Sequence, residues 1–214
     1  MRVLVFGASI TQGFWDSKGG WVSRLRNYYD EQTISEQDYE TIPFIFNLGI
    51  SGDRTVDVLN RFEAETRARL NDSGIAFIIS VGINDTQFKD NEYRTDIKDY
   101  AKDLERIYKL AKTFSDKILF VGLTPVDDSR SFPFQWADAA ISNERIKLFD
   151  DTLEEFCNEN SVRYVKVFEK FREEFTNPER ILELLPDALH PSDAGHEILF
   201  NLIKPAVVEM LEND

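Results

Sequence analysis

The sequence predicts an α/β fold in which a parallel sheet is covered by helices on both faces. Two observations predict it. Five short apolar runs, rich in Val, Ile and Phe, recur along the 214 residues, as expected of strands that are buried on both faces. Amphipathic stretches separate these runs, and alternating strands and helices favour right-handed crossovers between parallel strands.

Each strand and helix follows from its own pattern. The predicted strands are Arg2–Phe6, Pro43–Leu48, Ile75–Val81, Lys117–Val121 and Val162–Val167. The predicted helices lie within Trp21–Tyr29, Thr55–Arg69, Tyr93–Phe114, Asn143–Asn160 and Asp193–Leu211. The third helix has the clearest pattern, because apolar residues recur at spacings of three and four from Ile97 to Ala111, which places them on one helical face.

The length and composition predict a single domain spanning residues 1–214. Domains typically contain ~100–200 residues, and 42% hydrophobic residues with 17 Phe supply a substantial core. The formal charge of −14 repels nucleic acids and anionic membrane surfaces, so neither is an expected partner. The single cysteine, Cys157, excludes an internal disulfide and predicts a packed thiol, and two His with one Cys argue against a zinc site.

Nothing near the amino end predicts a targeting or membrane segment. The first apolar run, Val3–Phe6, is too short for the apolar part of a signal peptide and for a membrane span. We therefore expect a cytoplasmic protein without membrane insertion.

Polar motifs follow the predicted strands. They are Ser9 after the first strand, Gly49–Arg54 after the second, Gly82–Asp85 after the third, and Thr124–Trp136 after the fourth. A further polar loop, Asp187–His190, precedes the last helix. Because ligands of parallel sheets bind beyond the carboxyl ends of the strands, we expect these five segments to gather at one edge and form a site.

Ser9 is a candidate nucleophile. It lies at a switch from strand to loop, where backbone N–H groups can support a developing alkoxide. The alternative is a serine that caps a helix. Two other motifs are excluded: Thr11 stands where the α/β-hydrolase elbow requires a second glycine, and Phe14 follows Gly13 where a phosphate-binding loop requires lysine.

Gly52 and Asn84 are candidate oxyanion donors. A glycine lets the backbone N–H approach a ligand closely, and a neutral amide can stabilise developing negative charge. The alternative for Gly52 is an ordinary turn before a helix, capped by Ser51 or Asp53. The alternative for Asn84 is a turn in which an Asn or Asp side chain binds its own backbone, and we expect Asp85 to do so and hold the loop.

His190 is the candidate general base, and Asp187 is the candidate carboxylate that orients its ring. His190 would take the proton of Ser9 through one ring nitrogen while Asp187 holds the other. Pro191 restricts His190 to an extended backbone, which favours a loop ahead of the helix. The alternative is a lone histidine that caps this helix. His196, the other histidine, is expected inside the helix in a structural role.

Together the four motifs resemble the signature blocks of the SGNH (GDSL-type) hydrolase superfamily. That family is named for a serine, a glycine, an asparagine and a histidine, which match Ser9, Gly52, Asn84 and His190 in this order. Asp187 matches the carboxylate of the family's catalytic triad. The motifs span nearly the whole chain, and their order makes the combination far more specific than any one of them.

The resemblance implies a flavodoxin-like, three-layer α/β/α sandwich with strand order 2-1-3-4-5. It also implies a serine hydrolase that cleaves carboxylic esters through an acyl-enzyme, without a metal or other cofactor. The oxyanion hole would consist of the backbone N–H groups of Ser9 and Gly52 and the side-chain amide of Asn84. One departure is Ala8, which stands where the family usually has aspartate and which affects the expected hydrogen bonding of the loop.

The substrate is expected to be a small-molecule ester, and the sequence predicts no oligomeric state. Phe132, Phe134 and Trp136 lie in the connection after the fourth strand, where they can line an acyl pocket, stack on a sugar, contact a subunit or anchor the loop. Trp15 is another candidate pocket wall. The acidic charge favours a short-acyl ester such as an acetylated carbohydrate over a lysophospholipid or an acyl thioester. A non-catalytic binding module on the same fold is the remaining alternative.

Overall fold

A computed structural model describes residues 1–212 of the chain. Its centre is a five-stranded sheet, parallel throughout, with the order β2-β1-β3-β4-β5. The strands are β1 (Arg2–Gly7), β2 (Phe44–Gly49), β3 (Ile75–Ser80), β4 (Ile118–Val121) and β5 (Arg163–Val165). The predicted strands and their order are therefore confirmed.

The helices form the two outer layers. In chain order they are α1 (Ser9–Gln12), α2 (Gly20–Glu36), α3 (Thr55–Arg67), α4 (Ile97–Lys112), α5 (Asp128–Ser131), α6 (Asn143–Glu159), α7 (Phe168–Arg172), α8 (Pro178–Leu184) and α9 (Asp193–Glu212). Helices α2 and α9 pack together, whereas α3, α4 and α6 form a second packed row. Right-handed crossovers place these two groups on opposite faces of the sheet, which completes the predicted three-layer sandwich.

The inner strands are apolar on both faces because helices cover both. Every residue from Val3 to Phe6 is fully buried. Phe6 stacks on Phe62 of α3 with ring centroids 4.4 Å apart, and Phe62 lies 4.9 Å from Phe77 of β3. The edge strand β2 is less buried, since only Ile45 and Leu48 of its six residues are buried. The predicted thiol Cys157 is also fully buried, so that prediction is confirmed.

Helix α4 lies within the predicted range Tyr93–Phe114, but the first residues of that range form a different element. Tyr93 instead pairs with Phe88 in a small antiparallel hairpin of Phe88–Lys89 and Glu92–Tyr93. The helix begins only after Asp96, whose carboxylate accepts the N–H of Lys98. Such capping satisfies an N–H that has no partner within the helix, and it therefore fixes the boundary.

The topology leaves a crevice at the carboxyl end of β1. The chain leaves β1 for β2 on one side and returns to β3 on the other, and ligands of open α/β sheets bind where the strand order reverses in this way. Ser9 follows β1 directly. Within residues 1–212, none of the helices combines the length and the apolar character that crossing a bilayer requires.

Candidate active site

Three polar side chains from the two ends of the chain meet at this crevice. The hydroxyl Oγ of Ser9 lies 2.9 Å from Nε2 of His190. The other ring nitrogen, Nδ1, lies 2.7 Å from Oδ2 of Asp187. Ser9 and His190 are 181 positions apart in the sequence, and the structure brings them together as the sequence analysis expected.

Ser9 does not cap the helix that it begins. The N-cap position of α1 is Ala8, no side chain caps this end, and Ser9 is buried with its hydroxyl against His190. The backbone before it is crowded: a Cβ on Gly7 would lie 2.5 Å from the carbonyl oxygen of Ser80. Glycine therefore lets β1 approach β3 closely at the point where the chain turns to present Ser9.

The carboxylate of Asp187 accepts hydrogen bonds at both oxygens. Oδ1 accepts the backbone N–H groups of Leu189 at 3.0 Å and His190 at 2.7 Å. Oδ2 accepts Nε1 of Trp15 at 2.5 Å as well as the imidazole. Partial burial disfavours the charged form, but the hydrogen bonds and charge of His190 and the bond from Trp15 outweigh it and lower the pKa of Asp187 to about 2.

Hydrogen bonds from Arg130 and Asp127, which the sequence did not predict, hold the loop that carries Asp187. Arg130 donates to the carbonyl oxygens of Leu185 at 2.7 Å and Pro186 at 3.0 Å, and it pairs with Asp127 at 2.6 Å. The N–H of Asp127 donates to the carbonyl of Ala188 at 2.9 Å. The only signal in the sequence is an acidic and a basic residue three positions apart, and that spacing does not identify the carbonyls they bind.

Asn84 lies in a single 3-10 turn, Ile83–Thr86, directly after β3. Its Nδ2 donates to the backbone carbonyl of Asp53 at 3.0 Å. This bond uses one of the two amide hydrogens and holds the side chain beside the loop that contains Gly52. Gly52 has a left-handed backbone with φ of 85°, and a Cβ there would meet no atom within 4 Å. Its N–H finds no acceptor within the described part of the chain.

Asp85 does not bind its own loop, so that prediction is wrong. Its Oδ2 accepts both the N–H of Thr55 at 2.9 Å and the Thr55 hydroxyl at 3.0 Å, at the start of α3. A carboxylate without exposed surface needs donors, and the unpaired N–H groups of a helix start supply them. Burial raises the pKa of Asp85 to about 6. The contact fixes the turn of Asn84 to the start of α3.

The four aromatic side chains proposed for substrate binding occupy different environments. Trp15 and Trp136 are 59% and 51% exposed, and their rings lie 6.2 and 6.0 Å from the ring of His190. Phe134 is buried and packs 4.9 Å from Trp136. Phe132 is exposed. Two indoles therefore border His190, while Phe134 anchors the connection that carries one of them.

Comparison with known protein families places the chain in one of them. Residues 5–198 match the model of the GDSL-like lipase/acylhydrolase family. The chain belongs to this family. Its reaction class is therefore carboxylic ester hydrolysis. The matched residues of this GDSL-type hydrolase include Ser9, Gly52, Asn84, Asp187 and His190. No curated protein sequence matches the chain significantly.

Solved structures of esterases share the fold of this GDSL-type hydrolase. The lipase/acylhydrolase from Enterococcus faecalis is 21% identical, with a TM-score of 0.75 over 98% of this chain and 95% of its own. The acetyl xylan esterase AlAXEase is 18% identical, with a TM-score of 0.76 over 97% and 100% of the two chains. A variant of Axe2, an acetyl xylan esterase from Geobacillus stearothermophilus, is 19% identical, with a TM-score of 0.72 over 99% and 94%.

The second histidine of this GDSL-type hydrolase is structural, as predicted. His196 is fully buried, accepts the N–H of Trp21 at Nδ1 over 3.3 Å, and donates from Nε2 to the carbonyl of Phe14 over 3.1 Å. Burial lowers the pKa of His196 to about 4, which keeps the ring neutral. Among residues 1–212, no three His, Cys, Asp or Glu side chains cluster as a metal site requires.

Proposed function

We propose that this chain is a serine esterase that hydrolyses short-acyl esters through an acyl-enzyme. Ser9 is the nucleophile, His190 the general base, and Asp187 the carboxylate that orients the imidazole. The observation that carries the proposal is the continuous chain of hydrogen bonds from the Ser9 hydroxyl through both ring nitrogens to the carboxylate, with lengths of 2.9 and 2.7 Å. This arrangement is the one that activates a serine for acyl transfer.

The reaction proceeds in two halves. Nε2 of His190 takes the hydroxyl proton as Ser9 attacks the ester carbonyl, and the resulting imidazolium is stabilised by Asp187. The oxyanion accepts hydrogen bonds from the backbone N–H groups of Ser9 and Gly52 and from the amide of Asn84. The imidazolium then protonates the leaving alcohol. In the second half, His190 deprotonates a water that attacks the acyl-serine; the bond to Oγ then breaks, the acid is released, and the imidazolium returns the proton to Ser9.

The environment of the site supports a short acyl group, and an acetylated carbohydrate as the substrate class. The formal charge of −14 disfavours phosphate-bearing substrates such as a lysophospholipid or an acyl-CoA thioester. The half-exposed rings of Trp15 and Trp136 offer apolar faces for a sugar, and two of the solved structures with this fold are acetyl xylan esterases.

A series of nitrophenyl esters with increasing acyl length tests the substrate class. If the enzyme is a short-acyl esterase, kcat/KM should be highest for acetate and should fall steadily as the acyl chain lengthens. A kcat/KM that rises towards long chains would instead identify a lipase or thioesterase. Acetylated xylo-oligosaccharides then compare a carbohydrate with the simple acetate.

Replacement of the nucleophile tests the reaction itself. We expect Ser9→Ala to lose essentially all turnover of nitrophenyl acetate while it stays folded, because removal of a triad member costs several orders of magnitude. Ser35→Ala is the matched control, since Ser35 is exposed near the end of α2, one helix length from the site. Wild-type turnover in Ser9→Ala would contradict the proposal. Absence of turnover on every ester in the wild type would instead favour a binding module.

A further inference from the structure

We propose that Trp15 is a positioning residue of the triad, because its indole N–H fixes the carboxylate oxygen that orients His190. Nε1 of Trp15 donates to Oδ2 of Asp187, the same oxygen that binds Nδ1 of the imidazole. The inference rests on the proposed function. It assigns Trp15 a role in the chemistry that is separate from contact with a substrate.

The hydrogen bonds of the carboxylate are divided evenly between its two oxygens. Oδ1 accepts two backbone N–H groups of its own loop, and Oδ2 accepts the indole and the imidazole. Among the described residues, Trp15 is the one side chain besides His190 that donates to the carboxylate of Asp187. Without the indole, Oδ2 would keep the imidazole as its single protein donor and would open to water on its other side.

The chain around Trp15 is anchored on both sides. The carbonyl of Phe14 accepts Nε2 of His196 in α9 at 3.1 Å. Asp16 forms an ion pair with Arg24 of α2, in which the carboxylate has no exposed surface. These contacts come from two different helices, and they fix the loop immediately before and after the tryptophan.

A further contact and the backbone conformation support the same conclusion. Ser17 donates its backbone N–H to Oδ1 of Asp193 at 2.7 Å. Trp15 itself has a φ of 62°, a left-handed conformation that a bulky residue adopts only where the surrounding structure holds it. Trp15 is exposed, yet its backbone is strained and the direction of its indole is fixed. This indicates that the surrounding structure holds the residue in place for the adjacent site.

Trp136 is an internal comparison. It resembles Trp15 in exposure and in distance from the His190 ring, and its Nε1 also binds Asp187. However, it donates to the backbone carbonyl oxygen, at 2.8 Å, and not to the carboxylate. Replacement of either tryptophan removes a similar aromatic surface, but only replacement of Trp15 removes a donor to the triad carboxylate.

Without the indole donor, the carboxylate of Asp187 is held less firmly and orients the imidazole of His190 less well. Hydrogen bonds to a charged group are about twice as strong as neutral ones, and water replaces only part of a fixed donor. We therefore expect Trp15→Phe to lower kcat/KM for nitrophenyl acetate by about tenfold, mostly through kcat. This small ester lacks a sugar, so loss of carbohydrate stacking does not contribute.

A double-mutant cycle tests the proposal. Trp15→Phe and Trp136→Phe are each measured in the wild type and in Asp187→Ala, with nitrophenyl acetate as the substrate. We expect Trp15→Phe to lower kcat/KM about tenfold in the wild type and to have almost no effect in Asp187→Ala, because its partner is already gone. Trp136→Phe should have the same effect in both backgrounds, since its acceptor is a backbone oxygen.

Equal effects of Trp15→Phe in both backgrounds would overturn the inference and leave the proposed triad intact. Full activity of Asp187→Ala would overturn the proposed function itself. Thermal denaturation of each variant shows whether it is folded. NMR of the indole N–H groups adds a readout that leaves the tryptophans unchanged: the Trp15 signal should move strongly in Asp187→Ala and the Trp136 signal much less, whereas an unmoved Trp15 signal would also overturn the inference.

Discussion

Asn84 shows how one residue can serve both the fold and the reaction. One amide hydrogen binds the carbonyl of Asp53 and fixes the side chain at the end of β3. In the proposed reaction the second hydrogen binds the substrate oxyanion. The residue type was predictable, because a neutral donor at a strand end suits developing negative charge. The contact with Asp53 was not, because it depends on the path of a loop that is separate in the sequence.

Replacement of this amide should slow the enzyme without unfolding it. We expect Asn84→Ala to lower kcat by roughly 10² to 10³, because the oxyanion loses one of its three donors, with a smaller change in KM. Nitrophenyl acetate kinetics measure the effect, and Asn201→Ala on the exposed side of α9 is the control. An unchanged kcat would remove Asn84 from the oxyanion hole.

The low pKa of Asp187 leads to a prediction about how kcat/KM depends on pH. Its hydrogen bonds lower its pKa to about 2, so the carboxylate stays ionised until the solution is far more acidic than the range in which histidine acts as a base. Because the carboxylate does not titrate in that range, kcat/KM should decrease with the uptake of a single proton as pH falls, and log kcat/KM should approach a slope of one against pH. A slope of two over this range would show that the carboxylate titrates as well.

The helices and strands differ in how far the local sequence determines them. Strands β1 and β3 and helix α4 were predictable because their apolar patterns are long and regular. The hairpin from Phe88 to Tyr93 and the four-residue helix α5 were not predicted. The hairpin strands have two residues each, and α5 depends on the carboxylate of Asp127, which accepts the N–H of Ser129. Such short elements are stabilised by capping and tertiary contacts, which produce no periodic pattern.

Arg61 connects three elements below the site. From α3 it donates to the carbonyls of Gly7 at 3.2 Å and Leu48 at 2.8 Å, at the ends of β1 and β2, and it pairs with Asp53 at 2.8 Å. Its position fixes the loop that contains Gly52 against the strand that leads to Ser9. Nothing in the sequence predicts this role, because an individual arginine in an amphipathic helix is ordinarily a solvent-exposed residue.

We expect Arg61→Met to affect both stability and rate. Unpaired strand-end carbonyls and a partly buried Asp53 without its partner should reduce the free energy of unfolding by about 2–3 kcal/mol, and displacement of the loop should lower kcat. Urea denaturation and nitrophenyl acetate kinetics measure the two effects. Arg67→Met on the same helix is the control: its ion pair with Glu63 is exposed and should contribute less than about 1 kcal/mol. Equal effects of the two changes would contradict this role.

At the scale of the whole molecule, the site is a product of the parallel sheet. The general rule that ligands bind beyond the carboxyl ends of the strands predicted that loops from the start, middle and end of the chain meet. It did not predict which atoms meet. The bond between Trp15 and Asp187 joins residues 172 positions apart, and its existence depends on loop geometry that hydrophobic patterns do not specify.

The buried ring of His196 couples global stability to pH. Its pKa is lowered from 6.5 to about 4 in the folded state, so the unfolded chain binds the proton first and stability decreases as pH falls from about 6.5 to 4. The contribution is about 3 kcal/mol. Asp85 and Asp150, whose pKa values burial raises to about 6, contribute the opposite slope because the folded state binds their protons first.

Comparison with a variant isolates the histidine. We expect His196→Gln to be less stable than the wild type at pH 7, and the difference between them to shrink by about 3 kcal/mol between pH 7 and pH 4. Both proteins retain Asp85 and Asp150, so the opposing contributions cancel. Urea denaturation at several pH values measures the difference. A difference that stays constant over this range would show that His196 does not remain neutral in the folded protein.

Covalent labelling with a fluorophosphonate tests whether Ser9 is an activated nucleophile, because such a probe reacts with a serine only when a base activates it. Peptide mapping by mass spectrometry locates the adduct. We expect one adduct per chain, on Ser9, which is absent in Ser9→Ala and forms far more slowly in His190→Ala. Stoichiometric labelling of a different residue, or ester hydrolysis that continues while Ser9 stays unmodified, would contradict it.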